Sequence, residues 1–154
     1  MDTTHALQTL LDREAISALI RAYCYHFDRN EPEQLAALFT PDAVVDYGPE
    51  AATLHGADAI HAAVATGLNT TFAATSHHVS NIDIRLESED FARSICYLYA
   101  WHRYHSGAPD GELWAQYHHE FLRTPQGWKI SRLTLKAAGM KDFHRRSMHP
   151  IGRR

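Results

Sequence analysis

Cysteine is nearly absent: Cys24 and Cys96 are the two in 154 residues, and they form no CxxC pair and no metal-ligand spacing. The chain therefore offers no disulfide framework or cysteine redox motif, and both thiols are expected to be buried in a reducing compartment. No apolar run approaches membrane-spanning length. No charge dominates either, because 15 Lys and Arg against 18 Asp and Glu leave a net charge of −3. That balance removes the electrostatic case for nucleic acid or a membrane surface as partner. The opening residues MDTTHALQTLLDREA lack the basic start and apolar stretch of a signal peptide, so a cytoplasmic location is expected. There is no glycine-rich phosphate loop, no GxSxG nucleophile elbow and no HExxH pair. Internal repeats, low-complexity tracts and linkers are missing as well.

What is present is apolar residues, at 45% of the chain, and histidine, with 12 copies. That apolar content over this length suits one globular domain with a sizeable core. Two HH pairs and the His102/His105 spacing raise the question of a metal. Neighbours on a strand point to opposite faces, so an HH pair is a poor chelate, and no metal or cofactor is expected. The one basic stretch is the tail, residues 141–154, which contains HRR and ends in GRR. It is expected to be a solvated arm beyond a single domain of residues 1–140, with an anion-binding arm as the alternative.

The patterning changes once along the chain. Leu7, Leu10, Leu11, Ile16, Leu19, Ile20, Tyr23 and Phe27 recur mostly at three- and four-residue steps, which predicts a long amphipathic helix. EPEQLAALF, with Pro32 near its start, predicts a second helix, and LHGADAIHAAVATGL a third, entered after Gly56. AVVDYG between them reads as a short strand ended by Gly48. From residue 75 onward TSHHVSNIDIRLE, FARSICYLYAWHRYH, ELWAQYHHEFLRT and GWKISRLTLKAAG read as four long strands joined by turn-forming segments. Helices first and long strands afterwards predict an α+β domain, an antiparallel curved sheet with helices on one side.

One feature of the first helix asks for an explanation. YCYHFDRN closes its apolar face on Asp28, and a helix C-terminus disfavours an anion unless something compensates it.

The helix ending in YCYHFD, the strand entry LFTPDAVVDYG, the strand SHHVSN and the closing GWKISRL together resemble the nuclear transport factor 2-like superfamily. The similarity is to the SnoaL-like branch, with its polyketide cyclases, scytalone dehydratase, bile-acid dehydratase and hexachlorocyclohexane dehydrochlorinase. It runs from about Asp12 to Ala138. It implies a cone-shaped α+β barrel, in which a strongly curved mixed, mainly antiparallel sheet wraps a pocket that three N-terminal helices close.

The resemblance implies an Asp28–His77 dyad as the catalytic pair. Simple alternation places His78, not His77, on the face of Ile82 and Ile84, whereas the spacing to Asn81 favours His77. A bulge would reconcile the two. The resemblance also assigns Tyr47 to the substrate side and Arg132 to the leaving group. Tyr23, His78, Tyr99, Tyr117 and His119 are further candidates for the pocket wall. Phe27 stands where scytalone dehydratase has a tyrosine, and His102 is the candidate for that enzyme's second histidine.

The implied function is general acid/base proton transfer on a small, mostly apolar substrate without a cofactor: dehydration, elimination, isomerisation or aldol-type cyclisation. The alternatives are a non-catalytic ligand-binding or assembly module, like the small subunit of ring-hydroxylating dioxygenases, and a metal-dependent enzyme. Self-association is expected, as a trimer first and a dimer second.

Overall fold

The computed structural model describes residues 2–153; Met1 and Arg154 lie outside the described residues. Helix α1 spans Thr3–Asp28, and the Asp2 carboxylate caps it by accepting from the Thr4 N–H. Its buried residues Ile16, Ile20, Tyr23, Cys24 and Phe27 fall on one face. Leu7, Leu10 and Leu11 extend that stripe but remain 56%, 64% and 56% exposed. The helix stops at Arg29. Asn30 then takes a φ of 56°, a left-handed conformation that asparagine tolerates. Helix α2 (Pro32–Ala36) begins directly on its proline.

Strands β1 (Phe39–Asp46) and β2 (Leu54–His55), helix α3 (Ala57–Thr70) and strands β3 (Phe72–Leu86), β4 (Phe91–Tyr104), β5 (Gly111–Thr124), β6 (Gly127–Lys141) and β7 (His149–Pro150) complete the chain. One sheet runs in the order β2-β1-β6-β5-β4-β3, with β7 added beside β6. β1 and β7 are parallel to β6 and every other pairing is antiparallel. The sheet is open, with β2 and β3 at its edges. α1 lies along β3, and its buried face meets the inner sheet residues Leu98, Tyr117, Phe121, Ile130 and Leu133 in the core.

Two bulges decide which way side chains point. On β3 the register with β4 shifts between Ser80 and Asp83, at Asn81 with its φ of 52°. Odd-numbered residues before it face inward (His77, Val79) and even-numbered residues after it do (Ile82, Ile84). On β6, Trp128 and Ile130 are buried, then Leu133 and Leu135, so inward parity switches around Ser131. An extra residue in one strand inverts every later side chain.

The tail is not the solvated arm expected from its charge. Residues 143–150 fold back over the end of the sheet. The Glu50 carboxylate accepts the backbone N–H groups of Arg146 and Ser147 at 2.6 and 3.1 Å. His149 pairs with Asp46 at 2.9 Å, and Met148 packs against Gly48, where a Cβ would lie 3.4 Å from its sulfur. Asp46 is thus a tie point for the tail. Tyr104 Oη accepts the His144 N–H at 3.0 Å and donates to the Asp142 carbonyl.

A Cβ on Gly111 would collide with that Tyr104 hydroxyl and lie 2.8 Å from the Asp142 oxygen. Gly111→Ala should therefore cost about 1–3 kcal/mol through overpacking. Urea unfolding would show it, and an unchanged midpoint would mean that Tyr104 and the tail move aside freely.

Candidate active site

The C-terminal turn of α1 meets the first half of β3, and this places Asp28 beside His77. One carboxylate oxygen, Oδ1, accepts from His77 Nδ1 at 2.7 Å and from Thr75 Oγ1 at 2.8 Å. The other, Oδ2, accepts the His77 backbone N–H at 2.8 Å. Three donors thus compensate the charge that a helix C-terminus disfavours. Burial alone would raise the Asp28 pKa. The hydrogen bonds from His77 and Thr75, together with the charge of His77, outweigh it and hold the carboxyl below its ordinary value.

The His77 side chain is only 5% exposed and its ring packs on Phe27, with centroids 4.8 Å apart. Because Nδ1–H is given to Asp28, the bond network leaves Nε2 as the basic nitrogen. Nε2 faces His102 Nε2 at 3.5 Å, the outer limit of a hydrogen bond. His102 is buried among Phe72, Tyr104, Phe143 and His144. Burial first, and then His77 and His144 nearby, push its pKa down to about 3, so it is neutral near pH 7.

Both rings open on a cavity of about 320 Å³ between α1, α3, the inner sheet face and the returning tail. This size suits a small molecule. Leu54, Val64, Leu98, Leu113 and Leu135 make much of its wall apolar. Tyr23 and Tyr47 enter it with their hydroxyls 2.5 Å apart. Burial pushes Tyr47 up to about 12 and Tyr23 well above its ordinary value, so both keep their protons near neutral pH. When Tyr23 donates to Tyr47, the Tyr47 proton is free to point at a ligand.

Of the residues expected at the site, Tyr23, Tyr47, His77 and Tyr117 line this cavity, with Asp28 behind His77. Four others do not. His78 points outward, bonded to Ser76 and beside Tyr99, because the Asn81 bulge gives the inner face to His77. Tyr99 is on the outer face too, bonded to Glu112 at 2.6 Å, since β4 buries its even-numbered residues. His119 shares the inner face with Tyr117 but lies deeper, stacked on Phe121 and bonded to Ser94 at 3.1 Å. Burial drives its pKa down to about 3. Arg132 is turned outward by the bulge around Ser131 and sits 3.8 Å from Glu120, half exposed.

The cavity also holds residues not assigned from sequence: Phe72, Phe143, His144 and Arg145, with His102 foreseen only as a second-histidine candidate. Alternation along β4 carried a signal for His102, which shares parity with Leu98 and Ala100. The tail residues carried none beyond the basic HRR. Among the described residues no helix is long and apolar enough to cross a membrane. No group of three or more His, Cys, Asp or Glu among them could hold a metal ion.

Residues 8–134 match the SnoaL-like domain. The protein Rv2910c of Mycobacterium tuberculosis, itself uncharacterized, is 30% identical over 128 residues, 79% of this chain and 82% of its own. Among solved structures, a candidate scytalone dehydratase from Novosphingobium aromaticivorans is 39% identical. It superposes with a TM-score of 0.88 over 95% of this chain and 97% of that one. The hexachlorocyclohexane dehydrochlorinase LinA-type3 of Novosphingobium barchaimii shares the fold at 20% identity, with a TM-score of 0.82 over 95% and 99% of the two chains. With the helices, the open curved sheet and the match across most of its length, this chain belongs to the SnoaL-like domain family of the nuclear transport factor 2-like superfamily.

Proposed function

We propose that the protein is an enzyme that transfers protons on a small, mostly apolar carbonyl compound, by dehydration, elimination, isomerisation or aldol-type cyclisation. The observation that carries this reading is the 2.7 Å bond from His77 Nδ1 to Asp28 Oδ1, with the other face of the imidazole open to the cavity. His77 Nε2 takes the proton from the carbon next to the carbonyl. Asp28 fixes the tautomer and stabilises the imidazolium that forms. Tyr47 Oη donates to the substrate oxygen as negative charge builds there. The His77 imidazolium then returns that proton from Nε2 to the departing group, with neutral His102 as its polar neighbour at 3.5 Å. The apolar wall keeps water away and strengthens each of these interactions. The likeness to a candidate scytalone dehydratase supports dehydration first among the four reactions. Self-association belongs to the same reading: Tyr97 and Trp114 on the outer sheet face are 49% and 45% exposed.

Solvent deuterium exchange tests the proposal without knowledge of the natural substrate. A panel of cyclic ketones and β-hydroxy ketones is incubated in deuterated buffer and followed by proton NMR. The wild type should exchange at least one member, and His77→Gln should slow that exchange by about 10²-fold or more. Exchange that survives the substitution would remove His77 as the base. No exchange with any member would leave a binding module.

A further inference from the structure

Arg145 is a cation in the cavity wall without an anion to face. Its Nη1 donates to the backbone oxygen of Tyr47 at 2.8 Å, and its Cζ lies 5.7 Å from the centre of the Tyr47 ring. A guanidinium has five N–H donors, and no other bond to this one is formed among the described residues. Nor does any carboxylate among them make a salt bridge with it. Glu50, whose charge is felt at Arg145, is occupied by the backbone N–H groups of Arg146 and Ser147. Burial lowers the Arg145 pKa, the mark of a charge that has lost water without gaining a counter-ion.

The placement is built, not incidental. The Tyr104 hydroxyl holds the tail before Arg145 through the His144 N–H, and Glu50 and the Asp46–His149 pair hold it after. Burial holds His102 near 3, so it does not compete as a cation at neutral pH, and the nearby Arg145 charge favours neutral His144 as well. An unpaired, partly buried cation carries a desolvation cost, and the chain keeps one in the wall of a largely apolar cavity.

We propose that the substrate carries a carboxylate, which the free edge of Arg145 grips beside Tyr47 while the rest of the molecule lies on the apolar wall. This deepens the function proposed above and rests on the cavity being the substrate site. The planar fork of the guanidinium matches a carboxylate with two parallel N–H bonds. A cavity of about 320 Å³ with one such cation fits a ring-sized monoacid rather than a polyanion. The carboxylate is present before reaction, so Arg145 acts in binding and orientation, not in proton transfer.

The test uses two probes of the same shape, naphthalene carboxylate and naphthalene carboxamide, titrated calorimetrically. Wild type should bind the carboxylate about tenfold or more tightly than the carboxamide. Arg145→Gln should abolish that preference, and Arg145→Lys should keep part of it. Asp28→Asn, in which the proton-transfer machinery is broken, should keep all of it. The binding claim therefore stands or falls separately from the catalytic one. Because the partly buried charge is unpaired in the free protein, Arg145→Gln should melt no lower than wild type. Equal binding of both probes by wild type, binding of neither, or a preference that survives Arg145→Gln would each overturn the proposal. So would a marked drop in melting temperature, which would assign Arg145 to holding the tail.

Discussion

Asp28→Asn should reduce turnover by about 10³–10⁴-fold while leaving the fold intact, the scale seen when the carboxylate behind a catalytic imidazole becomes an amide. The size follows from the bonds. Oδ1 receives the His77 ring N–H and the Thr75 hydroxyl, and Oδ2 receives the His77 backbone N–H. An asparagine side chain has nearly the same shape but replaces one of these oxygens with a donor. If the NH₂ takes the Oδ2 position, two donors face each other across 2.8 Å. If it takes the Oδ1 position, it forces the imidazole into the other tautomer, with the proton on Nε2, and the base points away from the substrate. Neither orientation leaves a negative charge to stabilise the imidazolium. Nitrogen NMR of His77 would show the proton on Nδ1 in the wild type and a changed or mixed tautomer in the variant. Unaltered turnover together with an unaltered tautomer would reduce Asp28 to a helix end. The depressed pKa of Asp28 sets the pH behaviour of the wild type: the carboxylate stays ionised as pH falls to its ordinary titration range. An acid limb caused by Asp28 should therefore appear only below about pH 4.

Asp12→Ala should be the most damaging single change to stability, at about 3–5 kcal/mol. Asp12 is buried, at 7% exposure, at the far end of the sheet from His77. Its carboxylate receives a two-pronged ion pair from Arg123 at 3.0 and 2.7 Å, the Trp128 indole N–H at 3.0 Å and the Gln8 amide at 3.0 Å. One side chain therefore links α1 to β5 and β6. Removing it strands a guanidinium and an indole N–H that cannot easily reach water. For a domain of this size the melting temperature should fall by roughly 10 °C. The hydrogen bond from Arg123 is the largest influence on the Asp12 pKa, and with the other donors it outweighs burial and lowers the value. A depressed native pKa means that the unfolded chain binds the proton more readily. The stabilisation is thus complete above about pH 4 and is lost as pH falls through the native value. Urea unfolding at neutral pH and at about pH 3 should show the gap between wild type and Asp12→Ala narrowing in acid. A gap that is equal at both would mean the carboxylate contributes by packing alone.

Much of the architecture was legible because it is local. The three- and four-residue spacing of Ile16, Ile20, Tyr23 and Phe27 is a property of one helix, and the structure buries those residues. A carboxylate on an apolar helix end raised a question locally, and the family resemblance named His77 as its partner; the structure places the two side chains 2.7 Å apart. β4 and β5 keep inward parity without a break, so alternation along them opposes His102 to Tyr99 and puts Tyr117 and His119 on one face.

For His78 and Arg132 the difference has one physical origin, whereas Tyr99 faces out on an unbroken strand and His119 lies too deep. Facing along a strand depends on parity, and parity depends on bulges that no single-strand pattern reveals. The bulge at Asn81 gave His77 the inner face, and the one around Ser131 turned Arg132 out to Glu120. Charge misled in the tail for a similar reason: a basic segment reads as solvated until partners such as Glu50 and Asp46 are brought to it from elsewhere in the chain.

The sequence by itself determined the class of fold and the order of the elements, since each rests on short-range spacing, and its resemblance to a family named Asp28 and His77 as candidates. Only the tertiary structure decided which side chains meet in the cavity, and so brought His102 to His77 and an unpaired Arg145 to Tyr47. Those meetings depend on register shifts and on a chain end returning across more than ninety residues, and neither leaves a local pattern to read.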